Sequence, residues 1–282
     1  MFGLSKHKIV GINARNLDYI FASNKRKFYP VADSKLITKQ LAESVGVSVP
    51  KLYDVVEFQH DCKHFEKKVT AYPSFVVKPD HGSGGGGILV IKEKVFSGFR
   101  KASGEIEEAQ SIRFHLQNIL SGMFSLGGQP DVAVIEQIVA FDPVFEMIAY
   151  QGVPDIRIIV REGKALMAML RLPTKASDGK ANLHVGGIGA GIDMERGITT
   201  YAVQHNRYIE RHPETGHLLK DHIIPYWKDM LNIAVKMQKA SQLGYVGVDI
   251  VLDKNEGPMV LEINARPGIS IQVANQCGLG SR

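Results

Sequence analysis

Asp249, Glu262 and Asn264 sit in the segment GVDIVLDKNEGPMVLEINARPG, each embedded among valine, isoleucine and leucine. Glu262 and Asn264 are two residues apart, so on a strand they share one face. With Asp249 from the preceding apolar run, two adjacent strands offer three oxygen donors, a set suited to a hard cation. Magnesium fits because it takes a few carboxylates and completes its shell with phosphate oxygens and water. The competing explanation is the polar outer face of an antiparallel pair. Ile250, Leu252, Leu261 and Ile263 fill the alternate positions, which leaves the acidic face in need of a purpose. Arg266, just beyond, is either a group for an anion at the same place or a surface arginine.

A second group lies in SFVVKPDHGSGGGGILVI, residues 74–91. Gly82 to Gly87 are interrupted only by Ser83, and ordered glycines cost more backbone entropy than any other residue. The flanks read as strand and strand, and the GxxxxGK[ST] pattern is missing, so neither a P-loop nor a Rossmann turn is indicated. A hairpin loop of purely structural purpose is one explanation. The other is a phosphate cradle, because Lys78 ends an otherwise apolar strand and a half-buried ammonium needs an anionic partner. Arg157 in PDIRIIV and Arg171 in MAMLRLP form a third group. Guanidinium forks bind carboxylate and phosphate bidentately, and two of them near Lys180, Asn182 and His184 suggest an anion site. His184 alone reads as a hydrogen-bonded structural histidine.

The elements that must position these groups follow from periodicity. DSKLITKQLAESVG predicts a helix with Asp33 as N-cap and Gly46 at its stop. NARNLDYIFASNKRKFY predicts a short helix with Leu17, Ile20 and Phe21 inward. SVPKLYDVVEF, SFVVKP, ILVIKE, DVAVIEQIV, PDIRIIVREG and KALMAMLRLP read as extended, and ASDGKANLHVGGIGAGID as a loop. GEIEEAQSIRFHLQNILSGM and IPYWKDMLNIAVKMQKASQ read as helices, GVDIVLD and GPMVLEINARPG as strands, and ISIQVANQ as a short helix. Strands and helices do not alternate strictly, so the class expected is α+β.

Bulk properties narrow the function. The 282 residues are 44% hydrophobic and 22% charged, with a formal net charge of +5. That charge suits an anionic ligand and is too diffuse to indicate nucleic acid, and the basic N-terminal stretch lacks the interleaved aromatics of a single-strand binder. No apolar run approaches membrane-spanning length. Two cysteines without ligand spacing point to a reducing compartment, hence a cytoplasmic location. A homo-oligomer is left open.

Taken in order, Lys35, Lys78 with its glycine loop, EQIV at 136–139, DIR from Asp155, Arg171 with NLH after ten intervening residues, GVDIV and LEINARPG resemble the ATP-grasp ligases. The resemblance is specifically to the RimK-type α-L-glutamate ligases and their relatives, over roughly residues 33 to 276. It implies an α+β ATP-grasp fold, two α+β subdomains gripping ATP, with a shortened N-terminal region. The expected divisions are an N-terminal extension at 1–32 and an ATP-grasp domain at 33–276. Within that domain, a lid or small subdomain occupies about 65–139 and a C-terminal metal-binding subdomain about 140–276.

The resemblance also implies roles. Lys78 reaches ATP phosphate, Lys35 lies near the nucleotide, and Gly84, Gly85 and Gly86 cover the phosphates. Glu136 and Gln137 form the hinge whose backbone bonds adenine, with Ile138 packed on the ring; the family more often reads Q-E there. Asp155 holds the ribose, and Lys180 and Asn182 approach phosphate. Asp249, Glu262 and Asn264 hold two magnesium ions, or manganese in their place. Arg157, Arg171 and Arg266 face phosphate and the acceptor carboxylate. The activity implied is a carboxylate–amine ligase. An acceptor carboxylate attacks the γ-phosphate of ATP to give an acylphosphate, and an amine such as glutamate or another amino acid then displaces phosphate. The alternatives are an inactive ATP-binding scaffold of the same fold and a kinase-like phosphotransferase.

Overall fold

The computed structural model describes residues 9–82 and 84–281. The readings that touch the first eight residues, Ser83 and Arg282 lie outside the described residues. The chain divides into two compact units. The larger comprises Met1–Asp33, Ile37–Val49 and Ala140–Arg282, the smaller Ser34–Leu36 and Pro50–Val139.

The smaller unit is built on a six-stranded antiparallel sheet: β1 (Leu52–Val56), β2 (Phe75–Pro79), β3 (Leu89–Val95), β4 (Gly98–Lys101), β5 (Ile106–Glu107) and β6 (Ala133–Glu136), in the order β1-β6-β2-β3-β4-β5. The expected hairpin across the glycines is β2 paired with β3, Phe75 opposite Ile91 and Val77 opposite Leu89. Its core gathers the rings of Phe65, Phe75 and Phe99, with centroids 5.6–6.0 Å apart. A helix at Ala109–Leu120 buries Ile112, Leu116 and Ile119, spaced by four and three residues as one helical face requires.

The larger unit carries a seven-stranded antiparallel sheet: β7 (Asp155–Arg161), β8 (Lys164–Leu172), β9 (Ile188–Asp193), β10 (Ile198–Gln204), β11 (Arg207–Ile209), β12 (Tyr245–Asp253) and β13 (Gly257–Asn264). Its order is β11-β10-β9-β8-β7-β12-β13. The helix Trp227–Ser241 lies against β7, β8, β12 and β13, with Met230, Ala234 and Met237 fully buried in the core. Two sheets with flanking helices make the protein α+β.

Three local expectations need correction. The last third of the segment read as a loop is β9, where Gly191 is required by packing: a Cβ there would lie 2.5 Å from the carbonyl oxygen of Ala274. The N-terminal helix buries Tyr19 and Ile20, whereas Leu17 and Phe21 are 63% and 62% exposed. The cause is a π-helical stretch at Arg15–Phe21, whose wider turn puts residues four and five apart on one face, so Arg15, Tyr19 and Ile20 point inward together. Finally, Asp33 ends a short helix of its own, and the amide of Leu36 in the following helix, Lys35–Ser44, donates instead to Asp80 Oδ1 at 2.7 Å.

Candidate functional site

In the larger unit, strand register assembles an ionic face. Asp249 on β12 stands opposite Arg157 on β7 and Glu262 on β13, and Asp155 on β7 stands opposite Arg171 on β8. Directly paired residues project to the same side of a sheet, so all five share a face, and Asn264 joins them two residues beyond Glu262. A bulge in β13 sets Val260 opposite Ile250 immediately after Glu262 opposite Asp249. The extra residue keeps valine on the apolar side and glutamate on the polar one.

The side chains meet as this register dictates. Arg157 donates from Nε to Asp249 Oδ1 at 2.7 Å and from Nη2 to Oδ2 at 2.5 Å. Arg171 donates from Nη2 to Asp249 Oδ2 at 2.7 Å, and from Nε and Nη2 to Asp155 at 2.5 and 2.8 Å. The amide of Asn264 donates to Glu262 Oε1 at 3.2 Å and to Asp249 Oδ2 at 3.3 Å. Asp155, Asp249 and Arg171 are all buried. Burial acts to raise the Asp249 carboxyl, but the guanidiniums of Arg157 and then Arg171 outweigh it and hold it down at about 2. Burial pushes Asp155 up to about 7 against the pull of Arg171, with the charge of Asp249 adding to the rise. Burial opposes the charge of Arg171 too, yet Asp155 and Asp249 hold its guanidinium above its ordinary range.

The donor chemistry fits a hard cation. Three side chains with oxygen donors converge, the Asn264 amide donates to two carboxylate oxygens, and a half-turn of that amide offers its oxygen instead. Arg171 donates to both oxygens of Asp155, and each of these oxygens keeps a second lone pair.

In the smaller unit, Lys78 at the end of β2 pairs with Glu136 at the end of β6, both buried. The glycine loop is clasped at each end. Gly82 bridges to Ser125, and His115 donates from Nε2 to the Gly87 carbonyl at 2.8 Å, with Phe124 packed so closely on Gly87 that a Cβ would lie 2.6 Å from its ring. Between the clasps the chain turns through Gly84 and Gly85 at φ of 65° and 81°, which only glycine adopts without strain. Lys35, expected near the nucleotide, donates from Nζ to the carbonyls of Asp80 at 3.0 Å and Gly82 at 2.7 Å and so holds the base of this loop. In the expected hinge, the Gln137 amide donates to the Lys51 carbonyl at 2.9 Å, and Ile138 is half-buried just past β6.

Three other expected residues have local partners. Asn182 Oδ1 accepts from the His184 amide at 2.9 Å and caps a short turn, and Lys180 is 3.8 Å from Asp178. Arg266 is exposed, its guanidinium 4.6 Å from the centre of the Tyr29 ring, which is where a surface arginine beside an aromatic settles. Asp80, His81, Asp131 and His115, which surround the glycine loop, were not singled out by sequence reasoning. The one available signal was the Asp-His pair directly before the glycines.

Comparisons with known proteins bear on the fold and the family. The biotin carboxylase–β,γ-ATP complex from Campylobacter jejuni superposes with a TM-score of 0.55 and 16% identity over 97% of this chain and 47% of that one. Rhizobium etli pyruvate carboxylase T882A with acetyl coenzyme A gives 0.55 and 17% over 94% and 18%. The ATP-grasp ligase PsnB with its minimal precursor gives 0.44 and 13% over 89% and 57%. The chain thus spans little more than half of PsnB and less of the two carboxylases. No curated protein matches the sequence. The model of the sugar-transfer associated ATP-grasp family matches residues 14–282. The chain therefore belongs to the sugar-transfer associated ATP-grasp family.

Proposed function

We propose that this chain is an ATP- and magnesium-dependent carboxylate–amine ligase that forms an amide through an acylphosphate, in the manner of the RimK-type enzymes. The observation that carries this reading is the buried Asp249, bracketed by Arg157 and Arg171 and joined by Glu262 and Asn264. Phosphoryl transfer to a carboxylate asks a protein chiefly for positioning and for neutralisation of charge. Asp249, Glu262 and Asn264 would hold magnesium, which when bound polarises phosphate oxygens. Arg157 and Arg171 offset negative charge on the transferring group, and Asp155 orients Arg171 and would hold the ribose. In the smaller unit, Lys78 and the amides of Gly84–Gly86 serve the phosphates, and the loop excludes water that would hydrolyse the acylphosphate. The backbone of residues 136–138 serves adenine, and Lys180 and Asn182 lend further polar contacts to phosphate. The lid is assigned to about 65–139 and the metal-binding part to about 140–276.

The family description makes a sugar carboxylate the first acceptor to test, with glutamate as the first donor. ADP release should require both an acceptor from a panel of uronic acids and short acidic peptides and a donor amino acid, and mass spectrometry should find the amide. Donor-independent turnover, or a phosphorylated acceptor as the end product, would exclude the ligase. One observation favours a second reading, an ATP-binding module without catalysis: both Asp249 oxygens are already taken by guanidiniums. Such a module would bind ATP and release no ADP with any acceptor and donor.

Lys78 gives a prediction at once structural and functional. Lys78→Met removes the cation paired with buried Glu136, at a cost on the order of 3 kcal/mol. The double variant Lys78→Met/Glu136→Gln should recover most of the melting temperature while ATP affinity stays weak. Recovery of both by the double variant would show that Lys78 serves the fold alone.

A further inference from the structure

We propose that His81 is the general base that takes a proton from the incoming amine, an inference that rests on the ligase reading above. Its imidazole is held far more firmly than an exposed loop residue needs. Asp131, buried, accepts from the backbone amide of His81 at 3.2 and 3.0 Å and from that of Val132 at 2.8 Å, so its structural requirements are met by the main chain. Even so, His81 Nδ1 lies 2.8 Å from Asp131 Oδ1 and 3.4 Å from Oδ2 of buried Asp80. Lys35 pins the carbonyls of Asp80 and Gly82, the residues on either side.

A ring that turns its Nδ1–H toward a carboxylate presents the lone pair of Nε2 on its other side. The His81 side chain is 48% exposed, and among the described residues no group bonds Nε2. The closeness of Asp80, His81 and Asp131 is accounted for by this hydrogen bonding without a cation. The result is an oriented proton acceptor at the root of the glycine loop, a base with its own orienting carboxylate.

The ligase reaction needs such a group. An amino-acid amine is an ammonium at neutral pH and has no lone pair with which to attack. Nε2 first takes one ammonium proton, which frees the nitrogen lone pair; as that nitrogen bonds to the acyl carbon, the carbon–oxygen bond to phosphate breaks, and phosphate leaves with the electron pair and takes the second N–H proton as hydrogen phosphate. Lys78, Arg157 and Arg171 serve as cations and accept nothing.

Hydroxylamine separates this role from others, because its free-base form dominates at neutral pH and needs no base. In the full chain, His81→Ala and His81→Gln should slow amino-acid-dependent ADP release by roughly 10²- to 10⁴-fold. The hydroxylamine-dependent rate should suffer at least ~10-fold less. Asp131→Asn should lower kcat with the amino acid more than it changes KM, and should add little to His81→Ala, since paired groups act as one. Equal losses with both nucleophiles, or no loss with the amino acid, would overturn the assignment. A wild-type chain that releases no ADP with hydroxylamine and any acceptor would overturn the ligase reading itself.

Discussion

Asp249→Ala is expected to lower stability by about 3–5 kcal/mol and to remove nucleotide turnover at the same time. The stability loss follows from burial: the substitution leaves Arg157 and Arg171 facing each other without the carboxylate they share, and breaking a buried ion pair from one side costs that much. At roughly 2–4 °C per kcal/mol for a chain of this size, the melting temperature should fall by roughly 10 °C. Asp249→Asn keeps the shape and one acceptor oxygen, so it should melt between the two while remaining inactive. Calorimetric melting of all three chains checks the order. An Asp249→Ala chain that melts with the wild type would mean that the guanidiniums do not depend on this carboxylate.

Glu262→Gln should separate chemistry from folding. Glu262 is only half-buried, and both its link to the Asn264 amide and its side-chain hydrogen bond with Asp249 are contacts a glutamine can also make. Melting should therefore shift by less than about 1 kcal/mol. If the carboxylate contributes several kcal/mol through bound magnesium, ADP release should fall at least ~10²-fold. The magnesium concentration for half-maximal rate should also rise. Wild-type turnover at saturating magnesium would remove Glu262 from the ligand set.

These two residues show which parts of the site the sequence discloses. Alternation in GVDIVLD and LEIN is enough to place Asp249, Glu262 and Asn264 on polar faces, because side-chain direction in a strand is a local property. Their partners are not local. Arg157 meets Asp249 only because β12 is inserted beside β7, 92 residues away in sequence, and that strand order has no local signature. The β13 bulge that keeps Glu262 and Val260 on opposite sides is equally invisible. Lys78 was legible as a lysine needing an anion, yet its partner Glu136 comes from β6, paired with β2 across a long excursion. The same pairing brings Asp131 to His81, 50 residues apart, which is why that dyad escapes a reading of motifs. The glycine loop was readable as flexible, but its clasps at Ser125 and His115 depend on tertiary packing. At the N-terminus the periodicity was sound for an α-helix and misplaced Leu17 and Phe21 because the backbone winds as a π-helix there.

The most direct test is isothermal titration of the full chain with a non-hydrolysable ATP analogue, with magnesium and again with a chelator. Saturable one-site binding that requires both the metal and the triphosphate is the predicted result. A chain that takes up no adenine nucleotide with magnesium present contradicts the account.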